Sequence, residues 1–454
     1  MTFIKRTLIC MATIPLLILT PTQAHATPPT LDSPSAILIE QTTGRILYSR
    51  NERDRRFPAS MTALLTALVA YENLDFNEEI TIGTEIRNMP AGFATNVHSE
   101  GETLTVRMLL HSFLIRSTNE AGRVLALNTV RKATPAASYA EAERLFSDML
   151  NEKAAALGAR GTQFNNPFGQ HFENHFTTAL DIAIITRAFM EIPELADIVA
   201  KPLFEEGGYS WASTNQMLPD APHGHPYIIG AKAGFTTPAG HVFAGVAYND
   251  ELGMQLVSVV MGGTDIARWQ DTRRLIDYGF TNFRFREIAQ ENTPFTSVTI
   301  ENPRLGDEKT LEILFGESYS ALLTLEEYNT LTHNVTFDTL LYVETEEAES
   351  VLRAPLGAGA RVGTVAFLSG DTVIHEMPLL AAREVIARNF DSDMDYYLSA
   401  FFGSIFTLRA LPYWFGLIGT IVGIMGIIMA INANRRAARG MGYTKPRGGK
   451  YKRY

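Results

Sequence analysis

The residues that could carry chemistry stand in three short runs. In Pro58-Ala59-Ser60-Met61-Thr62-Ala63-Leu64-Leu65, Ser60 falls in the first turn of an apolar helical pattern. Unpaired backbone N–H groups and the positive end of the dipole favour developing negative charge there. That setting suits an acyl-transfer serine, although taken alone it reads more readily as a capping serine. Ser117-Thr118-Asn119 follows a second helical run, and Gly230-Ala231-Lys232-Ala233-Gly234 lies on a strand that ends in a hairpin. Each run is a weak signal alone, and their occurrence in one order is the stronger one.

In order and spacing these runs resemble the Ser-x-x-Lys, Ser-x-Asn and Lys-Thr-Gly set of the penicillin-recognising serine enzymes. The chain is similar to the D-alanyl-D-alanine carboxypeptidase family (peptidase family S11) of low-molecular-mass penicillin-binding proteins, over roughly residues 35–285. The stretches Asn165-Asn166-Pro167-Phe168-Gly169 and Asn174-His175-Phe176-Thr177-Thr178-Ala179 look like that family's loop before its next helix. The resemblance implies that Ser60 attacks a D-Ala-D-Ala carbonyl and that Ser117 and Asn119 orient substrate and relay a proton. Lys232 would meet the terminal carboxylate, with Gly234 beside it in the same substrate-binding motif. The backbone N–H of Ser60 and one from the Lys232 strand edge would form the oxyanion hole. It further implies peptidoglycan stem peptides as partners, β-lactams as possible ligands, and no cofactor or metal.

Two positions depart from the family pattern. The lysine expected one helical turn after the serine, on the same face, is Ala63, and none of the nine lysines stands three residues after any serine. A serine hydroxyl is a weak nucleophile without a base, and general-base catalysis is worth roughly 10²- to 10⁴-fold. The middle residue of the third motif is Ala233, which removes a hydroxyl that in the family helps hold the substrate carboxylate. Two readings therefore stay open: a carboxypeptidase homologue with impaired catalysis, in which Lys232 or a Ser117 relay takes the proton, and a non-catalytic peptidoglycan-binding or scaffolding relative.

Other residues carry less. Glu191-Ile-Pro-Glu-Leu195 resembles the loop that supplies a deacylating glutamate in class A β-lactamases, but Ala196 stands where an asparagine is expected, and the run reads as a helix end and a turn. His223 with His225, and His171 with His175, lack accompanying ligands at metal spacing and read as solvated loop histidines. The only cysteine, Cys10, lies in an N-terminal segment that reads as removed on export, so thiol chemistry is excluded.

The elements that must position these residues follow from hydrophobic period. Ala36–Glu40 and Arg45–Tyr48 around Thr43-Gly44 read as a hairpin. Helical spacing covers 59–71, 106–115, 120–130, 139–157 and 179–190, and strands return at 227–235, 241–248 and 255–261. Strands from both ends around a helical middle give an α+β layer with one antiparallel sheet, and the family resemblance implies its penicillin-binding/β-lactamase-like transpeptidase form, an antiparallel five-stranded sheet with helices. After it come a small β-rich domain and a C-terminal transmembrane helix.

The expected layout is a signal peptide at 1–26, a carboxypeptidase-like domain at 27–285, a β-rich domain at 286–378, a linker helix at 379–410, a transmembrane helix at 411–431 and a basic tail at 432–454. Lys5 and Arg6, the apolar run from Leu8 to Leu19, and Ala24-His25-Ala26 have the order of a secretory signal. Leu411 to Ile431 carries no charge and is followed by eight cations and no acid, so the tail is expected in the cytoplasm and the ectodomain outside. The chain's net charge is -10, which leaves the exported part at about -20, a poor partner for nucleic acid.

Overall fold

The computed structural model describes residues 27–87, 89–90, 92–338, 341–344, 350–405 and 410–440. The expected signal at 1–26 and the end of the basic tail, 441–454, lie outside the described residues. The chain divides into two units, the first comprising 1–286 with 322–329 and the second 287–321 with 330–454.

The first unit is built on an antiparallel sheet of β1 (Ser35–Glu40), β2 (Ile46–Arg50), β7 (Ile228–Thr236), β8 (Gly240–Asn249) and β9 (Met254–Gly263), in the order β2-β1-β9-β8-β7. The period of two divides each central strand between two cores. Ile37 and Ile39 of β1, with Val257, Val259 and Met261 of β9, join the core shared with the helices α1 (Thr62–Asn73), α2 (Val106–His111), α3 (Asn119–Ala133), α4 (Tyr139–Leu157), α5 (Ala179–Met190) and α6 (Pro193–Ala200). Ala36, Leu38, Leu256 and Val260 point the other way, against Trp269, Leu275, Ile276 and Phe280 of α7 (Asp265–Asn282). A sheet buried on both faces explains why these strands read as near-continuous apolar runs.

Helix ends are set by local chemistry. The hydroxyls of Thr105, Ser138, Thr178 and Thr264 accept from N–H groups in the first turns of α2, α4, α5 and α7, and Gly158, at φ +92°, ends α4. Glu191-Ile-Pro-Glu-Leu195 begins as the expected helix end and turn, with Glu191 capping α5, and Pro193 then opens a further helix, α6, because a missing N–H costs nothing at the first helical position. Two short hairpins complete the unit, β3 (Glu79–Thr81) with β4 (Thr103–Thr105), and β5 (Leu203–Glu206) with β6 (Tyr209–Ala212).

The second unit contains a seven-stranded sheet whose core holds Leu311, Ile313, Leu352, Val362, Val365 and Leu379. The expected linker helix over 379–410 is corrected at its start. A strand spans Thr372–Ala381, with Met377, Leu379 and Ala381 buried at a spacing of two, and the helix begins at Phe390 and runs to Ile405. A final helix, Leu411–Gly440, is apolar and long enough to cross a membrane.

Candidate active site

Ser60 does not sit inside α1 but in a 3₁₀ turn, Ala59–Met61, immediately before it. Ala59 has φ +48°, a left-handed conformation that costs a non-glycine residue about 1 kcal/mol or more and has to be held by its surroundings. The residues that hold it come from the Asn165–Gly169 run and His175. Gly169, at φ +90°, passes so close that a β-carbon there would lie 1.9 Å from the Ala59 carbonyl oxygen. Asn166 Oδ1 fixes that turn by accepting from the N–H groups of Gly169 (2.8 Å) and Gln170 (2.9 Å).

Thr62 Oγ1 donates to the Ala59 carbonyl at 2.9 Å and lies 3.0 Å from His175 Nε2. The N–H of Asn165 donates to His175 Nδ1 at 3.0 Å, so the ring hydrogen is on Nε2, pointing at Thr62. Burial, reinforced by His171, lowers the His175 pKa to about 3, and the neutral ring persists. The expectation of solvated loop histidines is thus corrected for two of the four. His175 is enclosed under the Ser60 turn, and His225 is buried with Nε2 3.0 Å from Asp277 Oδ1.

The other wall is β7, the edge strand of the sheet, which packs against the Ser60 turn. At Gly234 a β-carbon would lie 2.8 Å from the Ser60 backbone nitrogen and 3.3 Å from Ala59 Cβ, so only glycine allows this approach. Lys232 is 1% exposed, and its Nζ has no hydrogen-bond partner among the described residues. Burial alone pulls that amine from its ordinary 10.5 to about 7. Ala233, between the two, packs in the α7-side core with Phe243 and Trp269. Arg268 of α7 reaches the same strand end: its Nη1 donates to the Gly234 carbonyl at 3.2 Å, its Nη2 lies 2.5 Å from Asp265, and its guanidinium covers the Trp269 ring.

The third run lies where the helical winding is interrupted. After α2 the chain makes a π-helical turn, Ser112–Arg116, and Ser117 stands at φ +66° before α3 starts at Asn119. Such π turns relieve an extra residue at the cost of regular pairing, and they recur at functional sites. Asn119 Nδ2 donates to the Phe93 carbonyl at 2.9 Å, and the buried carboxylate of Glu120 accepts from the N–H groups of Thr95 (2.6 Å) and Asn96 (2.9 Å). α1 packs on both α3 and the π turn, which brings this run to the helix that Ser60 leads.

The structure therefore sets Gly234 against the Ser60 turn, with Lys232 two residues before it on the same strand, and the Ser117–Asn119 run at the start of the neighbouring helix. Ala63 is buried in the helix-side core one turn beyond Ser60, and its methyl group can accept no proton. The amine within this group of motifs is Lys232, which carries the low pKa of a potential base. Sequence reading missed the support given by His175 and Arg268. For His175 the signal was present, since the Asn165–Gly169 run and Asn174–Ala179 stand within ten residues, but their mutual pairing is not readable from spacing. For Arg268 there was none, because it reaches Gly234 only through the packing of α7 on the sheet.

Residues 22–265, more than half of the chain, match the family described as Peptidase S11, D-alanyl-D-alanine carboxypeptidase. Residues 283–387 match the C-terminal domain of penicillin-binding protein 5. The chain is 27% identical over 402 residues to D-alanyl-D-alanine carboxypeptidase DacA of Escherichia coli, covering 86% of this chain and 90% of that protein. It is 24% identical over 370 residues to DacF of Bacillus subtilis, covering 79% of this chain and 87% of that protein. Among solved structures, DacD of Francisella tularensis aligns with a TM-score of 0.61 at 21% identity, over 80% of this chain and 96% of that one. Penicillin-binding protein 5 of Haemophilus influenzae aligns at 0.58 and 22%, over 79% and 99%. The fold is that of the penicillin-binding proteins and β-lactamases, with a β-rich C-terminal domain, and the chain belongs to the D-alanyl-D-alanine carboxypeptidase family.

Proposed function

We propose that this chain is a serine-type carboxypeptidase homologue that engages D-Ala-D-Ala stem peptides of peptidoglycan at Ser60, with catalysis impaired by the loss of the lysine at position 63. The observation that carries this reading is the buried Lys232, whose amine has no hydrogen-bond partner among the described residues, on the strand whose Gly234 abuts the Ser60 nitrogen. Burial lowers that amine to about 7, so free base is present at neutral pH, and Lys232 is the group that takes the Ser60 proton, directly or through the Ser117 hydroxyl. Ser60 Oγ then bonds to the penultimate D-alanine carbonyl carbon, and the carbon–nitrogen bond to the terminal D-alanine breaks. The leaving amine takes the proton back, and water later hydrolyses the ester. Asn119 and Ser117 orient the peptide, and Arg268 and Gly234 meet its terminal end.

A second reading is a peptidoglycan-binding or scaffolding relative without turnover, favoured by the buried methyl group of Ala63. In both readings the ectodomain lies outside the cytoplasmic membrane, tethered by the helix Leu411–Gly440 with its cations inside. Intact mass after incubation with a penicillin separates the two. The first predicts an adduct that is lost in Ser60→Ala and forms faster as pH rises through about 7, following the Lys232 free base. No adduct in the natural chain, but one in Ala63→Lys, would overturn it in favour of binding alone.

A further inference from the structure

A continuous line of polar side chains runs behind the Ser117–Asn119 motif without touching the groups assigned to the reaction. The Glu102 carboxylate accepts from the Tyr209 hydroxyl and from the N–H of Ser99 at 2.8 Å. His98 Nδ1 lies 3.4 Å from Glu102 Oε1, and His98 Nε2 lies 2.7 Å from Ser112 Oγ. Ser112 Oγ lies 2.6 Å from Thr118 Oγ1. His98, Ser112 and Thr118 are all buried, so the line has no access to substrate. Ser112, though paired with a histidine and a carboxylate, is not a nucleophile.

The polarity of the line follows from its end. Burial works to raise the Glu102 carboxyl, but the hydrogen bonds from Tyr209 and Ser99 outweigh it and hold the group below its ordinary value, as an acceptor only. The ring hydrogen on Nδ1 faces that carboxylate, which leaves Nε2 to accept from the Ser112 hydroxyl. Ser112 has one hydrogen, now committed, so Thr118 must donate to it. Every link has one direction, and the last link fixes the side chain of the central residue in Ser117-Thr118-Asn119.

The backbone of this region needs such support. The Ser112 carbonyl accepts from the N–H groups of both Ser117 and Thr118, which closes the π turn, and Ser117 is held at φ +66°. From the front, Asn119 and Glu120 grip Phe93, Thr95 and Asn96; from behind, His98, three residues along the same segment, grips Ser112. The segment is thus fastened on both sides of the motif. Trp211 of β6 meets the His98 ring edge-on with centroids 5.8 Å apart, and the Thr214 N–H donates to the Ile115 carbonyl at 3.0 Å.

We propose that His98 is a positioning residue for the reaction at Ser60, acting through Ser112 and Thr118 to hold Ser117 and Asn119 in the geometry that the substrate meets. The proposal rests on the reading of the site given above. Its test uses the full-length chain in detergent, in the natural sequence and with Ala63→Lys, and compares His98→Phe, which keeps a ring without an acceptor, with His98→Gln, which restores an acceptor near Nε2.

With a fluorescent penicillin, His98→Phe should slow modification of Ser60 about tenfold, the effect of one unsatisfied buried hydroxyl, and His98→Gln should recover most of that loss. Equal rates in the two variants, or a natural rate in His98→Phe, would overturn the proposal. If neither the natural chain nor Ala63→Lys reacts, the acyl-transfer reading fails by itself. Amide exchange at Thr118 then decides about His98, with protection lost in His98→Phe and kept in His98→Gln if the proposal holds, and no difference overturning it. Should His98→Phe not fold, Ser112→Ala severs the same line with a smaller change. It should show the same tenfold loss, and an unchanged rate there is equally fatal.

Discussion

Gly234 and Ser60 approach so closely that a single added methyl group would sit 2.8 Å from the Ser60 backbone nitrogen. Such a gap is below any ordinary carbon–nitrogen contact, so the turn and the strand would have to part. Gly234→Ala should therefore displace the Ser60 turn from β7. The expected outcome is a loss of about 1 to 3 kcal/mol in stability by overpacking, and a fall in penicillin modification of Ser60 of tenfold or more. Denaturant unfolding and adduct kinetics on the same sample check both.

His175→Ala should loosen the turn from beneath. It removes the donor to Thr62 and the acceptor for the Asn165 N–H, two buried bonds whose loss costs about 2 to 4 kcal/mol. It should also change the pH response. The unfolded imidazole takes up a proton near its ordinary 6.5, whereas the folded one stays neutral to about 3. The unfolded state therefore binds more protons in that window, and stability falls as pH falls through it. Urea midpoints measured from pH 7 to pH 4 should decline less steeply in His175→Ala than in the natural chain.

Lys232 has the same sign in a higher window. Its amine is charged up to about 10.5 in the unfolded chain and only up to about 7 in the native one. Between these values the unfolded state again binds more protons, so native stability rises with pH from about 7 upward. In Lys232→Met that slope should vanish, and at pH 7 the variant should be the more stable protein, since no amine is left to desolvate. Urea unfolding at pH 7, 8 and 9 tests this; a steeper slope in Lys232→Met would refute it.

Asp271 is the clasp between the start of the sheet and α7. Its buried carboxylate accepts from the N–H groups of Asp32 (3.0 Å) and Ser33 (2.7 Å) and pairs with Arg274 at 2.9 Å. Asp271→Ala leaves those donors unsatisfied and should cost about 3 kcal/mol, visible as a lowered melting temperature with the far-UV spectrum unchanged.

Much of this architecture is legible in the sequence because its strands and helices are strongly periodic. Ile37 and Ile39 against Ala36 and Leu38 announce a sheet with two buried faces, and α4 and α5 begin and end where their apolar spacing does. What escapes is non-local. The π turn at Ser112–Arg116 reads as a continuation of the helix expected over 106–115, because its spacing stays apolar and only the Ser117 backbone reveals the break. His175 reads as a loop residue because its partners, Thr62 and Asn165, are joined to it by folding and not by spacing. The end of the β-rich domain reads as helix in the sequence because Leu379, Leu380 and Ala381 are good helix formers, and tertiary pairing with Ile313 and Phe315 overrides that propensity.

The clasp at Asp271 has a consequence for how the molecule is made. Asp32 and Asp271 are 239 residues apart, and β1 pairs with β9 in the middle of the sheet. A chain emerging N-terminus first can form the β1–β2 hairpin at once, but that hairpin must wait for nearly the whole first unit before its second edge is covered. Contacts of such long range slow folding and leave an apolar edge exposed in the meantime. The interval between synthesis of β1 and arrival of α7 is thus the period in which this protein is most open to aggregation and to capture by folding helpers.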